Sequence, residues 1–516
     1  MPDIILSTLN ARYAHASLGL RYLRANLADL HERSAICEFV IGQKTEEIVE
    51  RLLREQPKII GLGVYIWNVE ESTRVVAQLK LIAPEICIVL GGPEVSYEIS
   101  EQRICALADY VITGWGDVSF AQLAQQILTG ELPQTRVITG VQAPLAALQL
   151  PYSEYTDEDL RQRYLYVEAS RGCPFKCEFC LSALDQTAWP FPLQGFLDAL
   201  ESLYARGARQ FKFVDRTFNL KIDASLAVLE FFLGKIAAQP DDLPFVHFEL
   251  IPDHLPERLK AAISQFPPGT LQFEIGIQTF DPDVQTRISR RQKNHLAQAN
   301  IRWLREHSGA HLHVDLIAGL PGEGVASFAA GFDRLVALHP HEIQFGILKR
   351  LRGAPIARHT ADFDLRFSPD PPYQILSTNL IDFATLQRLN RFARYWDLIA
   401  NSGRFKASLP LLLGASAFAN FLDFSDWLYA QTGKTHAFAH DRLVHLLYEH
   451  RCSRAADSSA FERALIEDYR GAGGRTRLSF EASSTILPAP RARHSGSTPA
   501  RQARHLAVGR TETTNS

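Results

Sequence analysis

The chain has 516 residues, of which 46% are apolar and 22% are charged, and its formal net charge is −3. The length predicts about three domains of roughly 100 to 200 residues each, and the composition is that of an ordinary globular protein. The small net charge gives no electrostatic case for a nucleic-acid partner, and neither a secretory signal nor an apolar run of about 18 residues is present, so we expect a cytoplasmic protein without a membrane span.

The first 130 residues alternate between strand and helix patterns and predict one domain. Apolar or β-branched runs, typical of buried strands, occupy 4–9, 35–41, 59–64, 86–90 and 110–113. Apolar residues at three- and four-residue intervals predict helices over 17–30, 45–55, 68–81 and 118–128. Strand-then-helix units of this kind predict an α/β fold with a parallel, doubly wound sheet of the Rossmann or flavodoxin type, whose ligand binds beyond the carboxyl ends of the strands.

Small and aromatic residues follow these strand ends, where they would let a large, flat ligand such as a corrin approach the backbone. The turns Gly-Gly-Pro-Glu at 91–94 and Gly-Trp-Gly-Asp at 114–117 resemble those of the cobalamin-binding domain that precedes many radical S-adenosylmethionine (SAM) domains. The resemblance implies that cobalamin contacts Tyr13, His15, Tyr65, Gly91, Gly92, Glu94, Gly114 and Gly116. A Gly-Gly-Pro turn also occurs in other doubly wound domains, so a vestigial or other nucleotide-like site is the alternative.

The sequence lacks the Asp-x-His-x-x-Gly motif through which some cobalamin domains supply a histidine to cobalt. His15 is the one histidine in the strand-end loops, and its spacing does not match that motif. We therefore expect that no protein imidazole fills the lower axial position of the cobalt.

Residues 131–162 read as a linker, because Pro133, Pro144 and Pro151 interrupt regular structure. A second domain is predicted over 163–357, with strand candidates at 164–170, 210–214, 245–250, 272–277, 311–317 and 342–347. Six strands separated by helical stretches predict a partial (β/α)6 barrel.

Cys173, Cys177 and Cys180 follow the first of these strands, at the end where barrel enzymes place their active sites. Three thiolates in the spacing Cys-x3-Cys-x2-Cys can hold three irons of a 4Fe-4S cluster and leave the fourth iron open. The motif resembles that of the radical SAM enzymes. The resemblance implies that SAM binds the fourth iron and is cleaved by one electron to a 5′-deoxyadenosyl radical.

Two other uses of these cysteines compete with the cluster. A structural zinc site needs a fourth cysteine or histidine close by, and the next histidine after Cys180 is His247. Disulfides would leave an odd thiol and are unexpected without a secretory signal. Zinc and idle cysteines therefore stay as the minor alternatives.

Further segments resemble the SAM-binding parts of the family. The run Val-Asp-Arg-Thr-Phe-Asn at 214–219 resembles a segment near the SAM amino group, and the run ending in Gly-Leu-Pro-Gly-Glu at 315–323 resembles the turn near adenine. Glu274 and Gln278 alternate with Gly276 toward one strand face that would bind ribose or substrate. The SAM contacts implied are Asp215, Asn219, Glu274, Gln278, Asp315, Gly319 and Gly322. For each acid, an ion pair with Arg287, Arg290 or a similar neighbour is the alternative.

The barrel ends at 344–355 in the manner of one subgroup of cobalamin-binding radical SAM proteins, which has an extra C-terminal domain of undefined function. Lys349, Arg350 and Arg352 would meet a substrate anion or form a solvated basic turn. Residues 358–470 are predicted to be helical, with aromatic residues at helical spacings that form a core or a cap over the barrel. Residues 471–516 are predicted to be a flexible tail, in which 501–505 docks back on the body.

The sequence therefore predicts an enzyme that modifies an unactivated carbon of a small molecule, with a reducing partner such as flavodoxin or ferredoxin. Methyl transfer is the most frequent outcome for this architecture. A cobalamin-dependent radical cyclisation or oxidative rearrangement, as in porphyrin-ring cyclases of the same domain order, is the second hypothesis. A non-catalytic redox or cobalamin sensor is the third, and the presence of the SAM-like segments argues against it.

Overall fold

A computed structural model describes residues 1–185, 187–454, 458–481 and 497–506. The chain divides into two compact units. The first contains Met1–Thr217, Lys349–Arg358 and Phe367–Gln374, and the second contains the described residues of Phe218–Leu348, His359–Arg366 and Ile375–Ser516. Within the described residues, no helix combines the length and the apolar character needed to cross a membrane.

The first unit opens with alternating strands and helices. These are β1 (Ile4–Asn10), α1 (Leu18–Ala25), β2 (Ser34–Val40), α2 (Thr45–Leu53), β3 (Ile59–Gly63), α3 (Val69–Ile82), β4 (Cys87–Gly91), α4 (Arg103–Leu107), β5 (Tyr110–Thr113), α5 (Asp117–Thr129) and β6 (Val137–Thr139). The strands pair in the order β2-β1-β3-β4-β5-β6, and all pairs are parallel. The predicted doubly wound parallel sheet is confirmed.

The burial of these strands explains why their sequences are almost continuously apolar. All seven residues of β1 are buried, because its alternate side chains enter two different cores. One core contains Ile5 and Ile60 and faces α2 and α3, whereas the other contains Ile4 and Phe120 and faces α1 and α5. The predicted helix over 17–30 is shorter than expected, since Ala28 takes a positive φ of 49° and the chain continues as a 3-10 turn.

The first unit continues through the segment predicted as a linker into the cysteine region. Its elements are α6 (Asp157–Gln162), β7 (Leu165–Val167), β8 (Ser170–Gly172), β9 (Ala188–Pro190), α7 (Leu193–Ala205) and β10 (Gln210–Phe213). The predicted linker contains both β6, which extends the first sheet, and α6. Strands β7 and β10 are parallel partners.

The second unit begins with the remaining barrel strands and their helices. These are α8 (Ile222–Ala238), β11 (Phe245–Leu250), α9 (Glu257–Ile263), β12 (Leu271–Gln278), α10 (Pro282–Arg287), α11 (Asn294–His307), β13 (His311–Ala318), α12 (Val325–Val336) and β14 (Glu342–Ile347). Strands β11 to β14 pair in sequence order and are parallel. Each of the six strands expected for the partial barrel is present, two in the first unit and four in the second.

The C-terminal part is mainly helical, as predicted. It contains β15 (Arg366–Phe367), β16 (Ile375–Ser377), α13 (Phe383–Ile399), α14 (Leu409–Leu413), α15 (Ala417–Thr432), α16 (His440–Arg454), α17 (Ser459–Gly471) and α18 (Ala500–Leu506). Its aromatic residues form a core with α12, in which Phe332 contacts Phe392, Trp396 and Phe418 edge to face.

The described part of the predicted tail docks on the second unit. Arg501 donates to the carbonyl oxygen of Asn401 at 3.0 Å and pairs with Glu342 at 2.8 Å. Arg504 donates to the carbonyl oxygen of Ser402 at 2.7 Å. The rest of the tail, 482–496 and 507–516, lies outside the described residues.

Candidate active site and cofactor cavity

A short hairpin closes the loop that carries the three cysteines. Strands β8 and β9 pair antiparallel, with Gly172 opposite Ala188. Gly172 has φ +94°, and a Cβ at this position would lie 2.5 Å from the carbonyl oxygen of Thr187. Only glycine fits the backbone at this close approach. Gly172, directly before Cys173, therefore allows the two strands to close the loop at its base.

Cys173, Cys177 and Cys180 lie on the loop that this hairpin closes. Among the described residues, no three His, Cys, Asp or Glu side chains are arranged to hold one metal ion. A 4Fe-4S cluster binds each thiolate to a separate iron, so its three sulfurs stay apart. Burial raises the pKa of Cys173 to about 11, and the thiol must therefore lose its proton when iron binds.

The cysteine loop is also held from outside the hairpin, within the same unit. The backbone N–H of Cys180 donates to the carbonyl oxygen of Cys177 at 3.0 Å. Glu178 is buried, its carbonyl oxygen accepts from the N–H of Ile356 at 2.9 Å, and its carboxylate pairs with Arg358. These contacts fix the conformation of the loop at Cys177 to Cys180.

Asp215, which follows β10, supports the strand that leads into the hairpin. Its carboxylate accepts hydrogen bonds from the N–H of Ala169 at 2.9 Å and from the hydroxyl of Ser170 at 2.6 Å. Burial raises the pKa of Asp215 to about 7, against the lowering effect of those hydrogen bonds. The side chain expected near the SAM amino group thus also fixes the backbone just before the cysteines.

Asn219 is fully buried and is engaged by backbone groups of the second unit. Its amide oxygen accepts from the N–H of Ile251 at 2.7 Å, and its amide nitrogen donates to the carbonyl oxygens of Ile251, at 3.0 Å, and His254. In this arrangement the side chain holds the turn after β11, which is a different use from the SAM contact expected.

A cavity of about 490 Å³ lies in the first unit at the carboxyl ends of β3, β4 and β5. Five residues expected to contact cobalamin line it: Tyr65, Gly91, Gly92, Gly114 and Gly116. The cysteine hairpin and its neighbours also line the cavity, through Ser170, Arg171, Gly172, Ser182, Asp185 and Arg216. One cavity therefore joins the predicted cobalamin turns to the predicted cluster loop.

The glycines of this cavity leave room for a flat ligand beside the backbone. A Cβ on Gly114 would meet no atom within 4 Å, and one on Gly91 would meet only the carbonyl oxygen of Ile112, at 3.9 Å. Gly92 has φ +111°, and a Cβ there would collide with the carbonyl oxygen of Val64. The open strand ends fit a corrin, with Tyr65 stacked on Trp67 nearby at 4.5 Å between ring centroids.

Tyr13, His15 and Glu94 are not among the residues that line the cavity. The hydroxyl of Tyr13 bonds Glu158 and, at 3.0 Å, Gln162.

His15 Nδ1 lies 2.6 Å from the Tyr166 hydroxyl, and burial lowers the pKa of this histidine. No histidine occurs among the described residues that line the cavity, which agrees with the absence of the axial histidine motif.

Glu94 accepts hydrogen bonds from the Tyr373 hydroxyl at 2.6 Å and from Arg352 Nε at 3.1 Å. Arg352 and Arg350 also pair with Glu98, at 2.7 Å and 2.6 Å. Acids that follow β4 therefore pair with both arginines, in place of the solvated basic turn that was one of the two roles expected.

In the second unit, a bulge changes the expected alternation on β12. The pairing register shifts between Gly276 and Gln278, and Gln278 has a positive φ of 68°. The predicted common face for Glu274, Gly276 and Gln278 is therefore interrupted. Glu274 lies 3.2 Å from His247 Nε2.

The turn after β13 is built by glycines and an arginine. Asp315 lies 3.8 Å from His313 Nε2. Gly319 and Gly322 have φ values of +88° and +77°, and Arg287 donates to the carbonyl oxygen of Pro321 at 2.8 Å. Arg287 thus supports the turn that is predicted to lie near adenine by binding a backbone carbonyl of that turn.

Sequence reasoning missed Arg171, which lines the cavity and pairs with Asp117 of the Gly-Trp-Gly-Asp turn at 2.8 Å. The available signal was its position, directly before Gly172 and Cys173.

Three family models match the chain in the same order as the predicted domains. They are the B12 binding domain at residues 6–124, the Radical SAM superfamily at 167–334, and a protein of unknown function (DUF4080) at 361–477.

Curated relatives are similar over part of the chain. An uncharacterised methyltransferase of Pyrococcus horikoshii is 25% identical over 240 residues, which cover 41% of this chain and 52% of the relative. The cobalamin-dependent radical SAM methyltransferase TokK of Streptomyces tokunonensis is 25% identical over 330 residues, covering 56% of this chain and 46% of TokK. The chain thus spans about half the length of these curated relatives.

A solved structure supports the fold over most of the chain. The cobalamin-dependent SAM radical enzyme OxsB, with aqua-cobalamin bound, is similar with a TM-score of 0.62 and 12% identity, covering 91% of this chain and 78% of OxsB.

Proposed function

Because the chain belongs to the radical SAM proteins with an N-terminal cobalamin-binding domain, whose cofactors are a 4Fe-4S cluster, SAM and cobalamin, we propose that it methylates an unactivated carbon of a small molecule. The similarity to TokK, which is named as a methyltransferase, favours methyl transfer over the other radical reactions.

The observation that carries the proposal is the shared cavity. Gly91, Gly92 and Gly114 of the cobalamin turns and Gly172 beside Cys173 line the same space of about 490 Å³. A methyl carrier and a radical generator must act on one substrate carbon, so their sites must open into one volume. Two separate cavities would have favoured independent roles for the two cofactors.

The cofactors supply reductive SAM cleavage and methyl transfer when they are bound. The chain supplies the thiolates of Cys173, Cys177 and Cys180 as ligands to three irons. Asp215 holds the strand before these ligands through Ala169 and Ser170. In this way the protein orients the reacting groups instead of contributing a nucleophile.

The electron that SAM cleavage requires would come from a small reducing protein, and flavodoxin or ferredoxin are the donors we propose. Either can deliver single electrons at a low potential, as a 4Fe-4S cluster of this type requires. The substrate is proposed to be a small metabolite, because the methyl acceptor must enter a cavity of about 490 Å³.

Anaerobic reconstitution with iron, sulfide and hydroxocobalamin, followed by analysis of the SAM products, tests the proposal. SAM with a deuterated methyl group would be supplied together with a fractionated metabolite extract. We expect both S-adenosylhomocysteine and 5′-deoxyadenosine, with deuterium in a metabolite.

Two outcomes would contradict methyl transfer. Formation of 5′-deoxyadenosine alone, with an altered but unlabelled metabolite, would favour cyclisation or oxidative rearrangement. Binding of cluster and cobalamin without any SAM cleavage would favour the sensor hypothesis.

A further inference from the structure

Trp115, in the turn after β5, is held between two residues of the hairpin that closes the cysteine loop. The guanidinium carbon of Arg171 lies 4.8 Å from the centroid of the Trp115 ring, and the Trp189 ring meets it edge to face at 5.6 Å. Arg171 and Trp189 are opposite each other in the β8-β9 ladder. The cross-strand pair of Arg171 and Trp189 therefore contacts the turn on two sides of the Trp115 ring.

Buried ion pairs fix Arg171 in this position. Its guanidinium contacts Asp117, the first residue of α5, at 2.8 Å, and Glu168 at 2.7 Å. The Arg171 side chain is 20% exposed, and those of Asp117 and Glu168 are 8% and 9% exposed. Burial lowers the pKa of Arg171, but the charges of Glu168 and Asp117 outweigh this effect and raise it. Water cannot readily replace these partners, so a move of the turn must also move the hairpin.

An apolar cluster surrounds the same contact. The rings of Tyr22 and Phe191 lie 4.7 Å and 5.8 Å from the Arg171 guanidinium carbon. Both belong to a hydrophobic core cluster against which Trp115 and Trp189 pack. The contact between turn and hairpin is therefore packed as well as charged.

The contact between the Trp115 turn and the hairpin adjoins both cofactor sites. Trp115, Asp117 and Arg171 line the cavity that faces the cobalamin turns. Arg171 also stands two residues before Cys173, on the strand that leads into the cysteine loop. A ligand that positions Trp115 and Asp117 therefore acts on the backbone that places the first iron ligand.

We propose that Arg171 is a positioning residue that couples the cobalamin cavity to the cysteine loop. Occupation of the cavity stabilises the hairpin conformation in which the loop holds its cluster, and the cluster in turn strengthens cobalamin binding. This inference rests on the proposed function, because it takes cobalamin and the cluster as the ligands of the two sites. Coupling between binding sites is reciprocal and typically amounts to about 5- to 150-fold in affinity.

Equilibrium binding of hydroxocobalamin to the full chain, measured anaerobically with and without the reconstituted cluster, tests this coupling. For the wild type we expect the dissociation constant to fall about fivefold or more when the cluster is present. In Arg171→Met, which keeps an unbranched apolar stem but loses the charge, the ratio should approach one while each site still binds its own cofactor.

Arg163→Met is the matched control. Arg163 pairs with Glu38 at 2.9 Å and lies 4.5 Å from the centroid of the Tyr13 ring, so it resembles Arg171 in its contacts. It does not line the cavity, and its replacement should leave the ratio at the wild-type value.

A ratio of one in the wild type, with both cofactors bound, would overturn the coupling and leave the proposed function standing. Coupling of wild-type size in Arg171→Met would also overturn it. If Arg171→Met does not fold, Trp189→Leu is measured in its place. It removes the edge-to-face contact with Trp115 and should reduce the ratio of the two dissociation constants at least about twofold. A wild type that binds no hydroxocobalamin contradicts the proposed function itself.

Discussion

The replacement Gly172→Ala should open the cysteine loop without touching a cysteine. A left-handed backbone costs a non-glycine residue about 1 to 2 kcal/mol. The added Cβ would also lie 2.5 Å from the Thr187 carbonyl oxygen and 2.7 Å from the Trp189 ring, so β8 and β9 must separate. We expect a total cost of about 3 kcal/mol, which shifts the balance between closed and open hairpin on the order of a hundredfold.

The assay is iron and sulfide content after anaerobic reconstitution, together with the rate at which a chelator removes iron. Gly172→Ala should lose iron roughly tenfold faster than the wild type or more. Gly207→Ala is the matched control, because Gly207 has nearly the same φ, +99°, but no atom within 4 Å of an added Cβ. Wild-type iron retention in Gly172→Ala would refute the reasoning, and equal losses in both variants would show that backbone strain alone is responsible.

Three further predictions concern the cluster, the cobalt and a buried acid. Replacing Cys173, Cys177 and Cys180 with Ala should abolish the absorbance near roughly 400 nm and all SAM cleavage, since each thiolate binds one iron; retained cleavage would exclude the radical mechanism. Bound Co(II) cobalamin should show an electron paramagnetic resonance spectrum without nitrogen superhyperfine splitting, unchanged in His15→Ala, and splitting that disappears in this variant would identify His15 as the axial ligand. Folding raises the pKa of Asp215 from 3.8 to about 7, so the folded state holds this proton over a pH range in which the unfolded state has lost it. The free energy of unfolding of the wild type, relative to that of Asp215→Asn, should therefore fall as pH rises from about 4 to about 7 and stay constant above that range. The fall should be about 4 kcal/mol at most. Thermal melting of the apo-protein at several pH values measures this difference, and a flat difference would contradict a raised pKa.

The sequence by itself determined the features that depend on near neighbours along the chain. The spacing of Cys173, Cys177 and Cys180 is a local property, and the structure places all three on one hairpin-closed loop. The alternation of apolar runs with helical periodicity is likewise local, and it was sufficient for the first five strands of the parallel sheet but not for β6, which lies in the segment predicted as a linker. The glycine turns at 91–92 and 114–116 were also recognisable, because their residue types permit backbone conformations that others avoid.

Only the tertiary structure decided which side chains meet. Arg171 pairs with Asp117 across 54 positions of sequence, and Glu94 pairs with Tyr373 across 279. Neither pair has a local signature, since the sequence around an arginine or glutamate near a turn does not show whether its side chain is solvated or buried. The bulge before Gln278 likewise depends on pairing between β12 and β13. Patterns along a chain report which face of an element is apolar, but the partner of a polar side chain is fixed only when packing brings distant segments together.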